Sequence, residues 1–350
     1  LYYFILALIS AALFGAATPA SKILLTAFNP FQLAGLLYLG AALGAATISL
    51  QKGNRFAPRT MDRRNLLRLG GAIVFGGVLA PSFLLLGLKL ASAASVSLWL
   101  PLELVATAVL GSLLFHDQLG RYGWLGMAGI VLAGLLLGMG EGSSRLSSGL
   151  LVALACICWG FDNNLTALID GITPAQSAFW KGIFAGSINL SIGYLVGGNA
   201  APPPPTIVAA LAVGALSYGI SIVLYITAAQ KIGASRAQMF FASNPFFALT
   251  FSAIILGEVI SSFQISAAFL LLGSLTLVFR DRHEHWHQHE EIEHQHVHDH
   301  DDKHHDHDHG REAIPKRHSH HHRHEASTHS HPHWPDLHHR HKHYPDRKEP

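Results

Sequence analysis

Ten times within its first 280 residues the chain runs for close to 20 residues with hardly a charged side chain. A helix needs about 20 mostly apolar residues to cross the hydrocarbon of a bilayer. No water is available there, so each backbone N–H and C=O must be satisfied inside the segment, which leaves helices as the natural solution. The stretches are 2–25, 30–50, 66–88, 92–115, 122–139, 149–169, 174–196, 206–229, 235–255 and 263–279. Short interruptions separate them, among them Asn29-Pro30, Gly120-Arg121 and the run Pro202–Pro205. That run cannot continue a helix, because proline has no amide donor. The first stretch lacks the basic leader of a cleaved signal peptide and is expected to remain as a span. The chain opens on Leu1, as expected of an unusual start codon or a few missing leading residues.

Composition divides the molecule at Arg280. Only 13% of the chain is Asp, Glu, Lys or Arg, against roughly 25% in soluble domains. Residues 1–280 carry a net charge of +7, residues 281–350 a net of −5 and 24 of the 25 histidines. The first part cannot form the polar surface of a soluble enzyme. The second has too few Leu, Ile, Val or Phe to offset chain entropy and is expected to be largely disordered.

Basic residues in short loops set orientation. Lys52, Arg55, Arg59, Arg63, Arg64 and Arg68 follow the second stretch, and Arg121, Lys231, Arg236 and Arg280 fall on the same side. Lys22, Lys89 and Arg145 are all that face them. The basic side is therefore expected to be cytoplasmic, with both termini.

The two halves resemble each other at an offset of about 144 residues: Phe14-Gly15 matches Trp159-Gly160, Leu100-Pro101 matches Asn244-Pro245, and Gly129 matches Gly273. Five spans per half is an odd number, so the halves must be inverted. Inverted repeats are a transporter architecture, with substrate bound near the midplane between them. The expected fold is thus an all-α integral membrane protein of ten transmembrane helices in two inverted five-helix repeats (1–139 and 149–280, joined by a linker at 140–148), followed by a disordered His-rich tail at 281–350. Shared membrane composition is the competing account of the match.

On these residues the chain resembles the EamA family of the drug/metabolite transporter superfamily. The aromatic-Gly pairs, Pro101 and Pro245, and Gly257-Glu258 at the end of the ninth stretch carry the resemblance; the first half departs from it with His116-Asp117. It implies a secondary transporter of small solutes, commonly an exporter, in a bacterial plasma membrane.

Ionisable groups at membrane depth usually face a pathway or a partner. Glu103 falls near the middle of the fourth stretch, and Ser95, Trp99, Glu103 and Thr107 recur every four residues, which would place them on one helix face as a pathway lining. A carboxyl there could load and release a proton, making the protein a proton antiporter. Asp162, followed by Asn163 and Asn164, and Lys181 lie at similar depth, roughly 10 Å from one end of their spans. They are expected as an ion pair or a charge-compensated cation site. A structural clamp fits Asp162 and Lys181 equally well, and interhelical hydrogen bonding fits the two asparagines. By the repeat offset Glu103 aligns with Phe247 and Asp162 with Ala17, so the acids are not duplicated. Glu258, His116 and Asp117 read as interfacial. Cys156 and Cys158 lie about 200° apart on a helix and cannot share a metal. No nucleotide fingerprint, catalytic triad or nucleic-acid motif is present, so no enzymatic activity and no nucleic-acid partner are expected; a homodimer is compatible with the bundle.

The tail repeats itself. His283, His285, His287, His289, His294, His296 and His298 recur 35 residues on as His318, His320, His322, His324, His329, His331 and His333. His304, His305, His307 and His309 recur 34 residues on as His338, His339, His341 and His343. Imidazole is the commonest neutral metal ligand, and the H-x-H pattern sets two rings about 7 Å apart on one side of an extended chain. Zn²⁺, Ni²⁺, Co²⁺ or Cu²⁺ suit such ligands. Incidental metal affinity and pH sensing are the competing uses. The expected function is secondary active export linked to a divalent transition metal (Zn, Ni or Co), with the tail capturing or sensing that metal. The alternatives are a metabolite, amino-acid or drug exporter whose tail only regulates or buffers metal, and a membrane-anchored metal store or sensor.

Overall fold

A computed structural model describes residues 2–51, 62–115, 120–139, 143–169, 174–197, 202–232, 234–280, 283–289, 292–299, 317–324 and 327–333, the last four stretches by their backbone alone. It divides into two units, Leu1–Asp281 and Arg282–Pro350. The basic residues Lys52, Arg55 and Arg59, the pair His116-Asp117, and His304, His305, His307, His309, His338, His339, His341 and His343 lie outside the described residues.

The first unit is helical. We number its helices α1 (Tyr2–Leu24), α2 (Pro30–Gln51), α3 (Arg63–Leu90), α4 (Ala93–Leu113), α5 (Arg121–Met139), α6 (Ser143–Ala167), α7 (Pro174–Gly197), α8 (Pro204–Ala228), α9 (Ala237–Leu256) and α10 (Ser262–Arg280). Among the described residues, nine of these are long and apolar enough to cross a membrane by length and composition. The other is α7, whose 24 residues include Gln176, Lys181 and Asn189. Asp62 starts α3 by accepting the Asn65 N–H at 2.9 Å, the N-cap geometry expected of an aspartate. Helix α6 begins at Ser143, inside the stretch read as a linker.

Packing inverts the pattern of a soluble protein. Small residues fill the interior: Ala7, Ala11, Ala72, Ala185 and Ala228 are wholly buried. Large apolar ones face outward, among them Leu67, Leu113, Leu195 and Phe269. Lipid is as apolar as leucine, so helices associate by close approach through small side chains.

Helix pairings survive exchange of the halves. Helix α1 packs on α8 and α9, and α6 packs on α3 and α4; α2 meets α8 as α7 meets α3. The pairs α2–α7, α4–α9 and α5–α10 join each helix to its own counterpart. Backbone irregularities are duplicated too. Helix α4 is interrupted between Trp99 and Leu102, and α9 between Phe241 and Asn244, each beside its proline, Pro101 or Pro245. Helices α3 and α8 each widen into a π-helical turn, Ile73–Leu79 and Gly214–Ile220.

The second unit has four short strands in its described backbone. These are β1 (His283–His289), β2 (Ile292–Asp299), β3 (Arg317–His324) and β4 (Ser327–His333), with β1 antiparallel to β4 and β2 to β3. The register sets His283 opposite His333, His285 opposite His331 and His287 opposite His329. In the second pair it sets His294 opposite His322, His296 opposite His320 and His298 opposite His318.

Candidate functional site

Where α4 and α9 break, their backbones cannot fill the centre of the bundle, and a cavity of about 280 Å³ lies between the halves. Both prolines line it, with Phe14 and Thr18 of α1, Tyr38 of α2, Glu103 of α4, Trp159 of α6, Tyr218 of α8, and Gln238, Phe241 and Asn244 at the start of α9. The two aromatic-Gly pairs do matching work. Phe14 and Trp159 reach the cavity, while their glycines bring the helices together. A Cβ on Gly15 would stand 2.6 Å from the Asn244 carbonyl oxygen of α9, and one on Gly160 would stand 2.9 Å from the Ala106 carbonyl carbon of α4.

Ring packing holds the wall. Phe14 meets Tyr218 edge-on at 5.6 Å between centroids and Phe241 at 5.2 Å. The π turn of α3 anchors the opposite side: the Tyr38 hydroxyl and the Trp159 indole N–H, the latter at 3.2 Å, both donate to the Gly76 carbonyl. The Asn189 amide donates to the next carbonyl, Gly77, at 3.0 Å. Tyr225 donates to the Gln238 side-chain oxygen at 2.6 Å, orienting that amide.

Among the described residues, Glu103 is the charged one on the cavity wall. Its carboxylate accepts from the Asn163 amide at 2.8 Å, and the same amide donates to the Thr107 hydroxyl at 3.1 Å. The neighbouring amide, Asn164, donates to the carbonyls of Gly160 at 2.8 Å and Thr107 at 3.1 Å. Asn163 and Asn164 thus tie α6 to α4 and hold Glu103 in place. The structure brings together Glu103, Thr107, Asn163 and Asn164, and it separates Trp99 from them. Trp99 is buried, and its indole donates to the Gly134 carbonyl of α5 at 3.0 Å. Ser95 is buried against Gln264 of α10, whose amide donates to its hydroxyl at 2.8 Å. The four-residue spacing assumed an unbroken helix, and α4 is interrupted at Pro101, between Trp99 and Glu103.

Asp162 and Lys181 meet. The ammonium donates to both carboxylate oxygens, at 2.6 and 2.7 Å, and the Thr166 hydroxyl adds a third bond at 2.8 Å. Asp162 is 6% exposed. Its carboxylate lies where a methyl group at Gly76 would collide with it, so the pair is seated on the same π turn that receives Tyr38 and Trp159. Glu103, by contrast, has no cation within ion-pair distance among the described residues.

At one end of the bundle Glu258 does more than sit at an interface. It follows Gly257, which ends α9 at φ 65°, a left-handed cap that suits glycine. The carboxylate then accepts the Ala93 and Ala94 amides at 2.8 and 2.9 Å, capping α4 in the other half. Beside it Lys22 donates to the carbonyls of Leu88 and Ala91 at 2.6 and 2.7 Å, closing the end of α3. The sequence reading missed this cap, and it missed Tyr38, Tyr218, Gln238 and Phe241. A tyrosine deep in an aliphatic stretch was the available signal for the first two. Cys156 and Cys158 are buried and unpaired with each other. Among the described residues, no three His, Cys, Asp or Glu side chains converge as a metal site.

Comparison with known proteins agrees with this architecture. The EamA-like transporter family matches residues 1–139 and again 146–280. An uncharacterised transporter of Methanothermobacter thermautotrophicus is 28% identical over 289 residues, covering 77% of this chain and 84% of its own. A solved crystal structure at 16% identity superposes with a TM-score of 0.57, over 80% of this chain and 98% of that one, and shares the fold. The chain belongs to the EamA-like transporter family.

Proposed function

We propose that the chain is a secondary active exporter that carries a small organic solute through the central cavity, exchanges it for a proton at Glu103, and captures divalent transition metal on its tail. The observation that carries this reading is the cavity itself. It lies between the two halves, where rocking of one against the other would expose it to each side in turn, and among the described residues its wall holds a single carboxylate amid rings and amides. A dehydrated divalent metal needs several nitrogen, oxygen or sulfur ligands at once, so the wall favours an organic cargo. We place the protein in the bacterial plasma membrane with both termini cytoplasmic, where the basic loops would lie.

The tail supports a second role. Its described register sets histidine positions opposite one another in six cross-strand pairs, and directly opposed positions in an antiparallel pair lie about 5 Å apart at Cβ. Two imidazoles at that separation can reach one Zn²⁺, Ni²⁺, Co²⁺ or Cu²⁺ ion. Metal as the cargo is the second reading, favoured by the density of histidines on the tail.

Purified protein in proteoliposomes, tested with amino acids, amines and metals with and without a pH gradient, separates these readings. The expected result is pH-driven movement of an organic solute that persists when 281–350 is deleted, while metal binding is lost with the deletion. Metal transport that disappears with the tail would establish the second reading in its place.

A further inference from the structure

The charges and rings around the cavity say which solute fits. Among the described residues, three charged groups lie at the junction of α4, α6 and α7: Glu103, Asp162 and Lys181. The last two neutralise each other, leaving one carboxylate in excess, and it is the one on the cavity wall. Phe14, Tyr38, Trp159, Tyr218 and Phe241 line the same space. Aromatic faces attract cations through the ring quadrupole, most strongly where water is excluded, and tryptophan does so best. Asn163 orients the carboxylate but supplies no positive charge. A ligand with its own carboxylate would bring like charge against Glu103 without a cation on the wall to compensate it. The cavity, at about 280 Å³, falls just below the usual span of ligand pockets, about 300–1,000 Å³, so the solute must be small.

Building on the organic-solute reading above, we infer that the cavity selects a small monovalent organic cation, with the positive group against Glu103 and the apolar body among the rings. Zwitterions such as amino acids, and organic anions, are disfavoured by the same carboxylate.

The test uses the full chain in nanodiscs and three ligands with a common phenyl body: benzyltrimethylammonium, phenylalanine and 3-phenylpropanoate. Titration calorimetry gives the affinities, and proteoliposome flux gives transport. The cation is expected to bind at least about tenfold more tightly than the other two, a difference of 1.4 kcal/mol. Glu103→Gln should weaken the cation about 10- to 100-fold and erase the preference, and Glu103→Asp should restore it. Trp159→Phe and Trp159→Leu both lose the bond to Gly76, so a further loss of about fivefold in the leucine variant alone isolates the ring face. Gel filtration reports whether each variant is folded. Binding of phenylalanine or phenylpropanoate as tight as that of the cation overturns the inference, as does an unchanged affinity in a folded Glu103→Gln. Transport of phenylalanine without the cation would overturn the cation class and leave organic-solute transport standing. If none of the three binds, both fall.

Discussion

Phe14-Gly15 and Trp159-Gly160 open the two halves alike. The π turns of α3 and α8 follow, and then the breaks at Pro101 and Pro245. Yet Glu103 stands where the second half has Phe247, and Asp162 where the first has Ala17. Apart from the two cavity rings, Phe14 and Trp159, the shared features are backbone devices. They set how closely helices approach and where a helix opens. The ionisable groups appear once each. A proton or a cation needs one carboxylate in the shared cavity, and a second desolvated acid beside it would be costly. The scaffold is therefore nearly symmetric while the chemistry is not.

The sharpest way to test that contrast is to exchange the unmatched pair. Glu103→Gln should abolish pH-driven flux in proteoliposomes, because the amide cannot release a proton. Phe247→Leu, at the matching position, should leave that flux within about threefold, since it carries no charge to lose and trades one apolar side chain for another at a half-buried site. Equal losses in the two variants would mean that position along the repeat matters and charge does not.

Breaking the Asp162–Lys181 pair comes next. Lys181→Met strands a carboxylate that is 6% exposed, a change that typically costs about 3–5 kcal/mol. It should appear as a clear fall in thermal stability in detergent. Asp162→Asn combined with Lys181→Met should recover most of the loss, because neither charge is then left alone. A double variant as unstable as the single one would show that the pair holds α6 to α7 by shape.

The duplicated devices should fail in parallel. Gly15→Ala pushes a methyl group to 2.6 Å from the Asn244 oxygen, and Gly160→Ala pushes one to 2.9 Å from the Ala106 carbonyl carbon. Both neighbours are backbone and cannot swing aside. Each substitution should cost about 1–3 kcal/mol, the range for overpacked interiors. Thermal unfolding of the two variants should agree within error; a large disparity would break the symmetry of the packing.

Much of the scaffold was legible in the residues, because lipid leaves so few options for an apolar run of about 20 residues. The pairing of Asp162 with Lys181 was also legible, since helical rise fixes depth. Three features were not. The π turns have no local cue beyond Gly76-Gly77 in one and Gly214 and Gly219 in the other, and glycines are frequent in membrane helices anyway. Trp99 was placed beside Glu103 by a spacing that holds only in an unbroken helix. The partners of Glu258 are about 165 residues away in sequence, and no periodicity within α9 or α10 points to them. Sequence patterns report the period of one element; these features depend on what two elements do to each other.

The smallest effect expected is at that tie between halves. Glu258 spreads its two oxygens over the Ala93 and Ala94 amides, which are otherwise among the unpartnered donors of a helix start. Negative charge also suits this end of the helix dipole. Glu258→Gln keeps the length of the side chain but leaves one acceptor oxygen for two amides and removes the charge. The loss should be about 1 kcal/mol, comparable to removing an N-cap. Detergent thermal melts at low and high salt would separate the parts: a deficit that shrinks as salt rises belongs to the charge, and one that persists belongs to the lost hydrogen bond. No deficit at either salt would mean that the halves are held at this end by Gln264, which donates to the Ser92 and Ser95 hydroxyls, and that Glu258 is incidental to it.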